Sequence, residues 1–466
     1  MAEQGKGRKE RRRPDLDTVY SINADGSRNF LHPADVSGRW QVLKNLVFMV
    51  LLLVYAALPW LVIGGHPAVH IDLPGRHAYL FGLSFTNQDF YLMFFVLTGI
   101  GFGLFVATAL WGRIWCGYAC PQTVFLEGVF RKFERWIEGP RVERIRRNLG
   151  PPTAGRFWRK LLKHAIFLGG AYMIAHVFLS YFIPPRQLMQ VITSSPALHP
   201  SAFGWSMFWT AVLYFDFAWF REQTCLIICP YGRLQSSLID QDTIIIGYDE
   251  VRGEPRHKGR DEGGDCVDCY RCVEVCPTGI DIRNGLQMEC IGCANCIDAC
   301  DDVMRRIGKP PGLVRYDSQR VFDGEPRRPL LRPRTLVYAC LGLLGLAVAT
   351  LSAGSREDFQ ANALRQTGMP YLFEGARIRN LYTLHLQNKG DRPSAYAITL
   401  TAGDRPGLEL ILPQPVVRLA PLEDGQTPLF LYLDRALYAG SFPLTLTVTD
   451  SLTGETRDLD VQFRGP

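Results

Sequence analysis

Long apolar runs punctuate this chain, and several are close to the length that a bilayer core demands. Five stretches of about 20 largely apolar residues read as membrane-spanning helices: Gln41 to Ile63, Phe90 to Trp111, Leu161 to Ile183, Gly204 to Phe220 and Thr335 to Ser352. The fourth is short and contains Asp216. After Ser355 the pattern changes to short alternating strands, predicted at Ala376 to Gln387, Ser394 to Ala402, Leu408 to Leu412, Val416 to Leu419, Pro428 to Leu433, Phe442 to Thr449 and Arg457 to Phe463. Strands of this length, divided by Gly, Pro, Asp and Asn turns, predict an immunoglobulin-like sandwich. It is read as an interaction or stability domain without catalytic residues.

Charge adds a direction to this picture. The chain has 466 residues, is 47% hydrophobic and carries a formal net charge of +6. Its basic residues flank the apolar runs, and no interleaving with aromatics points to nucleic acid. The start carries Arg8, Lys9, Arg11, Arg12 and Arg13, and the connection after the second run carries Arg131, Lys132, Arg135, Arg141, Arg144, Arg146 and Arg147. The loops Gly64 to Gln88 and Pro184 to Phe203 hold only Arg76 and Arg186. The positive-inside rule then predicts a cytoplasmic N-terminus and an exported tail, with Cys266 to Cys300 on the cytoplasmic side. Met1 to Arg13 lacks a following apolar h-region and a small-residue cleavage site, so it reads as a cytoplasmic tail rather than a signal peptide.

All 13 cysteines lie between Cys116 and Cys340, which argues for metal or redox use rather than a disulfide framework. The sharpest pattern is Cys266-x-x-Cys269-x-x-Cys272-x-x-x-Cys276-Pro277 followed by Cys290-x-x-Cys293-x-x-Cys296-x-x-x-Cys300. A [4Fe-4S] cubane takes four thiolates, three from one tight turn and the fourth from the other run in two-cluster ferredoxins. One cluster is therefore assigned to Cys266, Cys269, Cys272 and Cys300, and the other to Cys276, Cys290, Cys293 and Cys296. Structural zinc would need only paired C-x-x-C knuckles, not two complete runs of four. Asp301 stands after Cys300 where proline follows Cys276, which removes no ligand.

The expected fold class is thus a multi-domain membrane protein: an α-helical transmembrane bundle of about five spans, an inserted two-cluster ferredoxin-like α+β segment and a C-terminal all-β immunoglobulin-like sandwich. The expected divisions are a basic tail (1–40), a four-span membrane domain (41–240), the ferredoxin-like domain (241–330), a fifth helix (331–354) and the sandwich (355–466).

A second pattern repeats at the membrane edge: Cys116-Gly117-Tyr118-Ala119-Cys120-Pro121 and Cys225-Leu226-Ile227-Ile228-Cys229-Pro230. If each continues its helix, the i, i+4 spacing puts both sulfurs on one face, and the proline marks where the helix ends or bends. Four thiols meeting there could cycle with disulfides, bind a thiophilic ion such as Cu(I), or hold another cluster. The plainer alternative is packing between helices, which is also the reading for Cys340. Histidines are too sparse in the runs for a bis-His haem, and solvation is the expected role of His66, His70 and His77. Glu127 and Glu134 are expected to pair with Arg131 or Arg135, while Asp216 is an acid within a membrane run.

At this point the chain resembles the CcoG/FixG/RdxA family of membrane polyferredoxin accessory proteins of cbb-type cytochrome c oxidase. The likeness is carried by Trp115 to Glu127 (WCGYACPQTVFLE), Cys229 to Arg256 (CPYGRLQSSLIDQDTIIIGYDEVRGEPR), Gly264 to Met304 and Gly375 to Asn388 (GARIRNLYTLHLQN). The resemblance implies a bacterial inner-membrane cupric reductase with two [4Fe-4S] clusters, Cu(II) as substrate, and Cu(I) supplied for oxidase assembly. It places copper chemistry on Cys116, Cys120, Cys225 and Cys229. The implied partners are oxidase subunits or assembly factors, copper carriers and a cytoplasmic electron donor. Two rival readings are a quinol-linked electron carrier to a periplasmic reductase, and a non-enzymatic assembly scaffold.

Overall fold

The computed structural model describes residues 30–86, 89–257, 263–329, 332–354, 357–366, 368–390, 392–402 and 405–466. The basic start, Met1 to Arg13, lies outside the described residues. Packing divides the chain into two compact units, Met1–Val62 with Phe95–Leu346, and Ile63–Phe94 with Ala347–Pro466.

Among the described residues, four helices are long and apolar enough to cross a membrane: Arg39–Trp60, Tyr91–Trp111, Ala154–Leu179 and Pro333–Ser352. Large apolar side chains on them, such as Leu53, Phe94, Met173 and Leu343, are exposed, as lipid-facing surface would be. The remaining predicted run, Gly204 to Phe220, differs. An α-helix covers Pro200–Phe215 and a π-helical turn covers Asp216–Phe220.

The cysteine-rich segment is framed by an antiparallel pair of strands, Ile244–Tyr248 and Val314–Ser318, in register from Ile244↔Ser318 to Tyr248↔Val314. Between them lie the short helix Arg271–Glu274 and the longer helix Asn295–Arg306. Ile246, Ile297, Met304 and Val314 form a shared core with Cys266, Cys272 and Cys300. Thus the hydrophobic packing and the candidate ligands are the same small nucleus.

In the second unit, one sheet runs Glu409–Ile411, Asp424–Asp434, Arg377–Asn388 and Phe359–Arg365, with Leu372–Glu374 beside the third; the other runs Val416–Leu419, Ser394–Ala402, Phe442–Asp450 and Thr456–Phe463. Each of the seven predicted segments overlaps one of these strands. Strict alternation in Arg377–Asn388 turns Ile378, Leu384 and Leu386 into the core and the intervening residues outward. Two strands were not predicted, because Leu372–Glu374 is exposed throughout and Phe359–Arg365 alternates only at its start.

The connection after the first helix also carries a sheet, Val69–Asp72, His77–Leu80 and Leu83–Phe85. Strand alternation turns His70 inward, so the expectation of a solvated side chain is corrected there. His66 stacks on Tyr79 at 4.0 Å between ring centroids.

Candidate iron-sulfur and thiol site

Each Cys-x-x-Cys-x-x-Cys loop folds the same way. Asp268 and Tyr270 in the first have φ of 48° and 57°, and Gly292 and Ala294, at the matching positions of the second, have 67° and 61°. Three of these are not glycine, and left-handed backbone costs such residues about 1–2 kcal/mol each. The strain wraps the loop so that successive sulfurs turn inward, and the αL residue becomes the N-cap of the following helix in both cases. Arg283 steadies the first loop by bonding Asp268 at 2.8 Å and Asp281 at 2.6 Å while lying 4.2 Å above the Tyr270 ring.

The eight sulfurs line two small cavities. The outer one is lined by Cys266, Cys269, Cys272 and Cys300. The inner one is lined by Cys276, Cys290, Cys293 and Cys296, and Cys272 lines it as well. Among the described residues, no group of three or more His, Cys, Asp or Glu lies close enough to hold a single metal ion. Thiols spread around a cavity suit a cubane, whose ligands sit at separate corners, better than one tetrahedral zinc. Burial pushes the Cys300 and Cys290 thiols up to about 12 and Cys293 to about 11. Buried thiols of this kind ionise only when a cation compensates them, which iron does. The donor set therefore fits two iron-sulfur clusters.

The two Cys-x-x-x-Cys-Pro segments are also built alike. In each, the second cysteine donates its backbone N–H five residues back, Cys120 to Trp115 at 2.8 Å and Cys229 to Thr224 at 2.9 Å. That cysteine is extended, with ψ of 127° and 108°, and the proline opens a new helix, Pro121–Phe125 or Pro230–Leu238. The helix therefore breaks at the second cysteine instead of running through it.

The structure brings these four thiols together. Cys116 Sγ donates to Gln235 Oε1 at 3.1 Å, on the helix that follows Cys229. Gln122, beside Pro121, donates to Asp216 at 3.2 Å and to the Arg221 carbonyl at 3.0 Å. Burial, then the nearby Cys120, pushes the Cys116 thiol up to about 12; burial, then Cys120 and Cys116, raises Cys225 further. Cys120 is raised as well, again chiefly by burial. All four are free thiols, and Cys340 is exposed on its helix, which corrects the packing reading.

The thiol segments dock onto the inner cavity. A Cβ on Gly117 would lie 2.8 Å from the Ile291 carbonyl oxygen and 2.9 Å from Gly292, so only glycine permits this approach. Tyr316 donates to the Gly292 carbonyl at 2.7 Å, and Arg113 bonds the Met288 and Gly232 carbonyls. Beneath the contact lies a buried charge network. Arg131 binds Glu127, Glu222 at 3.1 Å and the Pro277 carbonyl at 3.2 Å. Glu134 binds Arg221 at 2.9 Å and Arg144 at 3.5 Å, with Lys163 at 3.7 Å. Glu127 thus pairs with Arg131 as expected, whereas Glu134 pairs with neither Arg131 nor Arg135 among the described ion pairs.

Sequence reasoning missed Gln235, Arg221, Asn295 and Lys44. Lys44 alone carried a signal, as the one charged side chain in the run Gln41 to Ile63.

Comparison with known proteins now bears on this site. RdxA of Cereibacter sphaeroides is 38% identical over 400 residues, covering 82% of this chain and 85% of that protein. The chain belongs to the FixG/RdxA family. The nitrogen fixation protein FixG of Rhizobium meliloti is 34% identical over 446 residues, covering 84% of each chain. Family profiles match a 4Fe-4S dicluster domain at residues 220–319, a 4Fe-4S binding domain at 92–140 and the IG-like fold at the C-terminus of FixG at 349–466. A crystal structure of a FixG-related protein from Vibrio parahaemolyticus matches 23% of this chain and 97% of that one, at 18% identity and a TM-score of 0.21. Like its family, the chain is an iron-sulfur electron-transfer protein, and its apolar helices make it a membrane protein. The profile at 92–140 contains just two cysteines, Cys116 and Cys120, which draws the membrane-edge thiols into the iron-sulfur family pattern.

Proposed function

We propose that this protein is a cupric reductase of the bacterial inner membrane, supplying Cu(I) for assembly of a cbb-type cytochrome c oxidase. In this reading Cys266, Cys269, Cys272 and Cys300 hold the outer cluster, and Cys276, Cys290, Cys293 and Cys296 the inner one. The ferredoxin segment faces the cytoplasm and the sandwich the periplasm, with Pro200 to Phe220 completing five spans. A cytoplasmic donor supplies electrons, and oxidase subunits, assembly factors or copper carriers take the product.

One observation carries the reading: Cys116, Cys120, Cys225 and Cys229 converge from two matching turns, against the wall of the inner cavity. When bound, the clusters supply one-electron carriers of low potential. The thiols supply the copper site in pairs, since no three of them lie close enough to hold one ion. Burial holds Cys116, Cys120 and Cys225 protonated, so binding a copper ion displaces protons and tightens as pH rises. Soft sulfur favours Cu(I) over Cu(II), so the ligand set itself pulls toward the reduced ion. The balance is one electron from the donor for each Cu(II) converted to Cu(I), with the thiolates unchanged.

Replacing all four cysteines by serine should abolish cupric reduction while both cluster signals remain in EPR spectra. Unchanged copper reduction would refute the proposal. A second reading is favoured by the iron-sulfur profile at 92–140: these thiols hold a further iron-sulfur centre. Iron and sulfide content falling together in the serine variant would select it, whereas unchanged iron with lost copper binding selects copper.

A further inference from the structure

We infer that Lys44, near the start of the first apolar helix, raises the potential of the inner cluster. The inference rests on the reading that the eight cysteines bind two clusters, and it assigns Lys44 a positioning and electrostatic role.

Lys44 is 2% exposed and donates from Nζ to Asn295 Oδ1. Asn295 lies between Cys293 and Cys296, lines the inner cavity and donates from Nδ2 to the Val275 carbonyl at 3.3 Å, next to Cys276. The amide therefore ties both halves of the inner ligand set together, and the ammonium fixes the amide. An ammonium buried against a neutral amide is costly unless negative charge stands nearby. The Glu127 carboxylate is already bonded to Arg131. That carboxylate still answers part of the Lys44 charge, and the thiolates of the inner set answer more, with Lys44 acting favourably on Cys293.

The outer cavity is different. Its cation is Arg283, which is paired with Asp268 and Asp281. Its ligand Cys269 is exposed to solvent. An electron added to a four-thiolate cluster adds a negative charge. Burial of the inner set disfavours that charge and is the larger effect, and a fixed cation at the cavity wall offsets part of it.

The test is an EPR-monitored redox titration of the full-length protein, purified without oxygen, as wild type, Lys44→Met and Lys44→Arg. Loss of one signal in Cys293→Ser identifies the inner cluster. Lys44→Met should lower the reduced-to-oxidised ratio of the inner cluster about tenfold at fixed potential, equal to about 59 mV for one electron, and leave the outer cluster nearly unmoved. Lys44→Arg should restore most of it. Where Lys44→Met loses iron, Asn295→Asp keeps the lysine and cancels its charge, and the same fall is expected. An inner cluster that is present and unshifted in either variant overturns the inference. Wild-type protein without cluster signals would instead overturn the two-cluster reading beneath it.

Discussion

The two Cys-x-x-x-Cys-Pro turns share their spacing, their backbone break and their proline, yet their surroundings differ sharply. The first presses its intervening residues into the ferredoxin segment: Gly117 and Tyr118 are buried, with Gly117 against Ile291 and Gly292. The second leaves Ile227 and Ile228 exposed, at 36% and 64%. One turn is a fixed joint to the inner cavity, and its twin is the open side of the same thiol set. Repeated cysteine spacing thus sets the turn, while the residues between the cysteines decide which turn packs against protein and which stays open.

Exchanging those residues breaks the comparison most severely. Gly117→Leu gives the first turn the residue found in the second, and the added side chain meets backbone that has no room to shift. The variant should lose the inner cluster, read as a fall in iron and sulfide, while the converse Leu226→Gly should keep both clusters.

The next largest effect is expected from the link between the turns. Glu134 follows the first turn and Arg221 precedes the second, and both are buried. Glu134→Gln leaves Arg221 and Arg144 without their shared carboxylate, a loss of about 3–5 kcal/mol for a broken buried pair, measurable by thermal unfolding in detergent. The same carboxylate sets a pH limit. Burial alone would raise its pKa, but Arg221 and Lys163 outweigh burial and hold it well below the usual carboxylate range. Its contribution to stability is therefore complete above the unfolded value of 4.5 and is lost as pH falls below it. In Glu134→Gln this part of the acid sensitivity should vanish.

Gln235→Leu should do least. It removes the acceptor of the Cys116 thiol and a 3.3 Å bond to Thr108, worth about 1–2 kcal/mol together. Thermal unfolding in detergent should show a loss of that size, with both cluster signals kept.

What could be read in advance follows the range of the interactions. Cysteine spacing is local, so the eight ferredoxin thiols and both proline turns were legible, as were the seven alternating strands of the sandwich. The left-handed residues Asp268, Tyr270 and Ala294 were not, since nothing in their side chains demands a positive φ; closure of the loop around its sulfurs does. Contacts between distant segments were equally hidden. Lys44 and Asn295 lie 251 residues apart, and Glu134 finds Arg221 across 87 residues rather than the arginines beside it in sequence. The predicted run containing Asp216 was the weakest in sequence, and its helix changes to a π turn at that residue.

The amino end of the first apolar helix has a further consequence. Its exposed N–H groups are capped from outside: Asp298 accepts from Gln41 at 2.8 Å and from Trp40 at 3.3 Å, and a side chain on Gly38 would collide with that carboxylate. Asp298 sits between Cys296 and Cys300, on a helix whose position depends on how those thiols are held. A ribosome releases Trp40 long before Asp298 exists, so this helix end waits for a cap that arrives only with the iron-binding segment. The first apolar helix and the cysteine segment therefore complete one another at that one carboxylate.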